Sequence, residues 1–144
     1  LRALVDATCV TTETNEINNQ LVKTYRVTGK PDFVVTAMTV TPATPAVNGT
    51  VTLAVTVKNQ GVMAGDAGFL DVWNNLATVP ACGTEGTAWA DVGIVAAGAT
   101  KTLTLALPAG AAGAKTARAF VDSWCEVVES NETNNQLTKA YTVQ

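Results

Sequence analysis

The sequence contains no histidine, three cysteines and no Cys-x-x-Cys pair. This removes the usual zinc-ligand sets and leaves the thiols to form disulfides or stay free. Serine occurs only at Ser123 and Ser130, so neither a Ser-His-Asp nor a Cys-His arrangement can be assembled. Charge is sparse: 15% of residues are charged, the net charge is −3, and the nine Lys and Arg are scattered. Binding phosphates needs a basic face, so nucleic acid is not expected as a partner. No apolar run reaches the roughly 18 residues of a spanning helix, and membrane insertion is not expected. There is no Gly-rich phosphate loop after a strand. Asp66, Asp71, Glu85 and Asp91 fall in expected loops or on outer strand faces and read as solvated surface charge rather than a catalytic pair. No enzymatic activity is expected. An initiator Met and a signal peptide are also missing, so the chain reads as a mature product or a piece of a longer array.

What the sequence does contain is itself, twice. Residues 13–21, ETNEINNQL, return as ESNETNNQL at residues 129–137. Sliding Arg2 onto Arg118, an offset of 118 − 2 = 116, keeps fifteen positions identical without a gap, from Arg2/Arg118 and Asp6/Asp122 through Cys9/Cys125 and Glu13/Glu129 to Tyr25/Tyr141 and Val27/Val143. A period of that size is a small domain rather than a solenoid turn. The expected organisation is therefore residues 1–28 as the C-terminal hairpin of a preceding repeat, 29–30 as linker and 31–144 as one complete repeat.

The local pattern is β almost throughout. VTLAVTV (51–57) alternates at period 2 and places Val51, Leu53, Val55 and Val57 on one face, and TLTLAL (102–107) does the same with Leu103, Leu105 and Leu107. Less regular runs at 33–41, 69–73, 88–95, 115–124 and 136–143 are separated by turn-forming stretches such as KNQG, AAGA and PAGAAGA. About seven short strands at this spacing predict an all-β, immunoglobulin-like β-sandwich, preceded by the last two strands of an upstream copy. PAGAAGA is the one stretch that suits a single helical turn.

PDFVVTAMTVTPATPAVNGTVTLAVTVKNQG, followed by RAFVDSWCEVVESNETNN, resembles the CARDB domain, a bacterial and archaeal immunoglobulin-like module whose name marks a suspected role in cell adhesion. The likeness covers residues 31–144 and, for its last third, residues 2–27. It implies the sandwich fold and a place in surface proteins, secreted hydrolases or filaments. The segment VWNNLATVPACGTEGTAWADVG departs from the family pattern.

In a sandwich of this topology the last hairpin, EVVESNETNN, lies at the pole where the chain enters, near the linker TGKPD (28–32). Asn-rich turns need no further explanation than turn chemistry. The sharper reading has Asp32, Asp122, Glu129, Asn131, Glu132 and Asn134 fix the interdomain angle through hydrogen bonds or a structural Ca²⁺, although the spacing is not that of an EF-hand. No other cofactor is expected. Within the complete repeat Cys82 and Cys125 are the natural disulfide pair, against the alternative of buried free thiols. Cys9 stands where Cys125 does and is expected to pair with an upstream repeat or another chain. A disulfide points to an extracellular, secreted or cell-surface setting. Trp73, Trp89 and Trp124 suit packing around that disulfide; exposed, Trp73 and Trp89 with Asn74 and Asn75 would contact a sugar or a subunit. Residues 2–27 supply two strands only, and an isolated hairpin with an apolar face is marginal in water, so they need a partner.

The expectation is a non-catalytic structural repeat unit of an extracellular surface protein or filament, assembling head-to-tail with neighbouring copies of itself. The alternatives are an adhesin or carbohydrate-binding module for cell-surface glycans, and a spacer domain of a secreted hydrolase.

Overall fold

The computed structural model describes residues 1–25 and 28–144. Arg26 and Val27, at the end of the expected upstream hairpin, lie outside the described residues. In chain order the strands are β1 (Arg2–Leu4), β2 (Gln20–Val22), β3 (Phe33–Thr41), β4 (Thr50–Asn59), β5 (Gly65–Asp66), β6 (Phe69–Trp73), β7 (Ala88–Asp91), β8 (Ile94–Val95), β9 (Thr100–Pro108), β10 (Gly113–Val121) and β11 (Gln136–Val143), with no helix among the described residues.

Alternation in β4 sets the core. Val51, Leu53, Val55 and Val57 are fully buried, and the residues between them remain partly accessible. Burying such a side chain contributes roughly 1.5–3 kcal/mol, so this one face is a large fraction of a typical net stability. β4 is the centre of a three-stranded antiparallel sheet ordered β3-β4-β9. Against it packs a four-stranded antiparallel sheet ordered β11-β10-β6-β7. Phe33, Val35 and Met38 of β3, Leu105 and Leu107 of β9, Leu70 and Val72 of β6, and Tyr141 and Val143 of β11 meet in one apolar cluster. The all-β immunoglobulin-like sandwich is thus what the alternation implies.

Three local expectations need correction. The run 88–95 is not one strand: Gly93 adopts φ 64°, and the Asp91 carboxylate accepts its N–H at 2.9 Å. This turn sends β7 to the four-stranded sheet and β8 to a small pair with β5. The run 115–124 stops at Val121, because Asp122 and Cys125 turn the chain with φ 48° and 54°. PAGAAGA forms no helical turn; Gly110 and Gly113 take φ 77° and 121°, and the chain crosses from β9 to β10 in the other sheet.

β1 and β2 form a hairpin by themselves. Its register, Arg2 opposite Val22, Ala3 opposite Leu21 and Leu4 opposite Gln20, matches that of Arg118 with Thr138, Ala119 with Leu137 and Phe120 with Gln136.

Candidate functional site

The loop between β10 and β11 begins with a buried carboxylate. Asp122 accepts the N–H groups of Glu126 and Val127, both at 3.2 Å, with its two oxygens. Four residues after Cys125 the chain turns again. There Glu132 accepts the N–H of Glu129 at 2.7 Å, and Asn131 accepts the N–H and the hydroxyl of Thr133 at 3.0 and 2.7 Å. These are local side-chain to backbone bonds that Asp, Asn and Glu make readily.

The loop then reaches the linker. Glu129, 3% exposed, accepts the N–H of Phe33 at one oxygen and the Asn135 amide at the other. Lys30 donates to the Glu129 carbonyl at 3.3 Å, and the Ser130 N–H donates to the Pro31 carbonyl at 3.0 Å. Asp32 receives the Ser130 hydroxyl at 3.0 Å on one oxygen and the Asn134 amide at 2.8 Å on the other. From the other side Asn59, fully buried, accepts the N–H of Asp32 and of Gly61 and donates to the carbonyls of Met63 and Val95. Residues 30–33 are therefore held from two directions. Asp32, Asp122, Glu129, Glu132 and Asn134 are brought together; Asn131 serves only its own turn.

One oxygen each of Asp122, Glu129 and Glu132 lies within 4.8 Å of the other two. Burial pushes the Glu129 carboxyl up to about 7, helped by the neighbouring charges of Asp122 and Glu132 and opposed by its bonds from Phe33 and Asn135. Asp122 is also raised, chiefly by burial, against its bonds from Val127 and Glu126. The side-chain carbonyl oxygens of Asn134 and Asn135 are buried without a hydrogen-bond partner among the described residues. Three carboxylate oxygens so close together are a hard-oxygen donor set of the kind that suits a cation such as Ca²⁺.

Cys82, in the long β6–β7 connection, is disulfide-bonded to Cys125 with a Cα–Cα distance of 5.6 Å, and Cys9 is an exposed free thiol. The four residues grouped as a ligand surface separate. Trp73 is buried opposite Arg118. The Asn74 amide donates to the Pro108 carbonyl at 2.8 Å, and Asn75 accepts the Thr116 N–H at 3.1 Å. Both therefore brace neighbouring backbone. Trp89 is 56% exposed, edge-on to Phe69 at 5.3 Å between ring centroids, and with Trp124, Glu85 and Asp71 lines a depression of about 240 Å³. Asp71 is no surface charge: it is buried, accepting the Ser123 hydroxyl at 2.5 Å and the Gly86 N–H at 2.6 Å. In the sequence Asn59 shows only as the second residue of the KNQG turn, which does not mark it as a hub.

No curated protein matches this chain. Among solved structures it is similar to the CARDB domain of a Pyrococcus furiosus protein in complex with di-metal ions, at 25% identity and TM-score 0.62, covering 79% of this chain and 94% of that one. It is also similar in fold to a domain of a candidate cell surface protein of Methanosarcina acetivorans, at 23% identity and TM-score 0.59, covering 80% and 93%. The CARDB family profile matches residues 30–139, from the linker lysine through the first half of β11, and the chain accordingly belongs to the CARDB family, a non-catalytic domain family.

Proposed function

We propose that this chain is a structural repeat unit of an extracellular surface protein or filament, joined head-to-tail to like units through a junction of fixed angle. The observation that carries the reading is the clamp on residues 30–33. Four hydrogen bonds from the 129–134 loop, together with the Glu129 contact to Phe33, hold the segment by which the chain enters the sandwich. A short linker so held transmits the orientation of what precedes it, whereas a free Gly-rich linker would not. The disulfide supports an oxidising, extracellular setting. The fold of a candidate cell surface protein among the neighbours agrees with that setting.

A two-repeat protein tests the junction. Small-angle scattering and negative-stain images should give one narrow interdomain distance for the native sequence and a broad one for Asp32→Ala with Asn134→Ala. Equal breadth in both proteins would sink the fixed junction.

Calcium is the finer part of this reading. Asp122, Glu129 and Glu132 would hold it, and the ion would supply the positive charge that the three carboxylates lack. The di-metal complex of the Pyrococcus furiosus domain supports the idea without assigning these residues. Calorimetric titration of the metal-free protein with CaCl₂ tests it, and no heat and no change in Tm would remove it.

A second reading is favoured by the exposed aromatic shelf of Phe69, Trp89 and Trp124 beside Glu85. Aromatic faces flanked by carboxylates suit stacking on sugar rings, so cell-surface glycans are its ligand class. A glycan screen in which Trp89→Ala abolishes the signals tests this reading, and a screen with no hits would end it.

A further inference from the structure

The hairpin of residues 2–25 copies the closing hairpin of the sandwich in conformation as well as in sequence. Asp6 and Asp122 have φ 46° and 48°, and Cys9 and Cys125 have φ 50° and 54°. Asp6 accepts the N–H of Val10 and Thr11 as Asp122 accepts those of Glu126 and Val127. Glu16 accepts the N–H of Glu13 at 2.7 Å, as Glu132 does that of Glu129. Asn15 accepts the N–H of Ile17, as Asn131 does that of Thr133.

The two hairpins differ in what covers them. Leu4, Val5, Leu21 and Tyr25 are 46%, 71%, 69% and 71% exposed, whereas Phe120, Val121 and Tyr141 are 6%, 0% and 8% exposed and Leu137 packs against the core. The side chains by which the second hairpin grips its body also recur in the first. Arg118, which donates to the carbonyls of Leu76 and Ala77, is matched by Arg2, and Tyr141, which donates to the Asn74 carbonyl, by Tyr25. Glu129, Asn134 and the disulfide Cys125 are matched by Glu13, Asn18 and Cys9. Ser130 becomes Thr14, which keeps the hydroxyl; the Ser123 hydroxyl is lost, at Ala7, Phe120 is replaced by the smaller Leu4, and Val127, which packs against the core, by Thr11.

We infer that residues 2–25 are the closing hairpin of a second sandwich, whose remaining strands are another copy of the body formed here by residues 31–116, and that Cys9 is bonded there to that copy's Cys82. This body already carries its own hairpin, so the acceptor is another copy. The inference rests on the repeat reading above and adds its partner, seat and covalent link. In forming the bond two thiols lose two protons and two electrons, taken up by a small-molecule disulfide such as oxidised glutathione, which is reduced to two thiols.

The test places a copy of residues 31–116 directly ahead of the full chain in one polypeptide, folded in a glutathione redox buffer. Peptide mapping without reduction should recover the Cys9 peptide joined to the added copy's Cys82 peptide. Iodoacetamide should no longer label Cys9, and the amides of residues 2–25 should exchange at least a hundredfold more slowly than in the 144-residue chain. A second protein, with the added Cys82→Ser, should keep most of that protection through the arginine, glutamate and tyrosine contacts. Protection lost with the disulfide would reduce the hairpin to a tether and overturn the seating. So would Cys9 that still alkylates, or that pairs with any other cysteine. Scattering from the same sample separates this from the junction: a linked, protected hairpin with broad interdomain distances keeps the inference and ends the fixed angle.

Discussion

Asp6 and Asp122, 122 − 6 = 116 residues apart, have the same left-handed backbone and accept amides from the same two relative positions. Their bonds are 3.1 and 3.0 Å in one case and 3.2 Å twice in the other. The turn is therefore a property of the local sequence; what surrounds it is not, since Asp122 is 2% exposed and Asp6 is only half-buried. Asp122→Ala would leave two amides in the closing loop without their acceptor, at a cost of about 2–3 kcal/mol. Asp6→Ala should stay within about 0.5 kcal/mol of native. Denaturation followed by tryptophan fluorescence checks both, because all three tryptophans lie in the sandwich. An equal loss in the two variants would mean that the first hairpin already contributes to the sandwich.

That contrast shows what a sequence of this kind makes legible. Val51, Leu53, Val55 and Val57 declare a half-buried strand because alternation is a local property, and all four are in the core. Strand β6 defeats the same rule. Leu70, Asp71, Val72 and Trp73 are all buried because the β6–β7 connection, through the Gly86 N–H and the disulfide at Cys82, covers its outer face. Parity alone placed Asp71 in solvent, and nothing local could reveal that cover. The carboxylate cluster was legible for a different reason. Asp122, Glu129 and Glu132 share one loop, so sequence proximity stood in for spatial proximity; Asn59 joins the linker to strands far along the chain, and its role needed the fold.

Asn59 uses all four of its hydrogen-bonding positions, two as acceptor and two as donor, with no exposure to water. Asn59→Ala strands two N–H and two C=O groups and should cost about 3–4 kcal/mol, near the upper end for a single substitution. Asn59→Asp should be at least as damaging at neutral pH, since a carboxylate would face the carbonyls of Met63 and Val95. Urea midpoints at pH 7 give the order, and a loss below about 1 kcal/mol for both would show that water replaces the amide.

The Cys82–Cys125 bridge closes a span of 43 residues. Chain entropy assigns such a loop roughly 3–4 kcal/mol, so the double variant Cys82→Ala, Cys125→Ala should fall in stability by about that amount. The 144-residue chain by itself should titrate one thiol, from exposed Cys9, and three after reduction in denaturant. Three accessible thiols before reduction would mean that the bridge does not form in the folded protein.

Glu129 links the clamp to pH. Its carboxyl sits at about 7 in the folded protein against 4.5 for the free side chain, because burial disfavours the charge. Between those values the folded state binds a proton that the unfolded state has released, so the stability contributed by protonation is complete below about 4.5 and lost as pH rises to about 7. Asp122, also raised by burial, adds a slope of the same sign beginning lower. In chelator-treated buffer the unfolding free energy should therefore fall by about 2–4 kcal/mol from pH 4.5 to 7.5, at 1.36 kcal/mol per pKa unit. Glu129→Gln keeps an acceptor for the Phe33 amide and has no proton to lose, so its profile over the same range should lose most of that slope. If the native and Glu129→Gln profiles run parallel, the slope belongs to Asp122 or to another carboxylate, and the Phe33 amide is held by a charged Glu129 throughout.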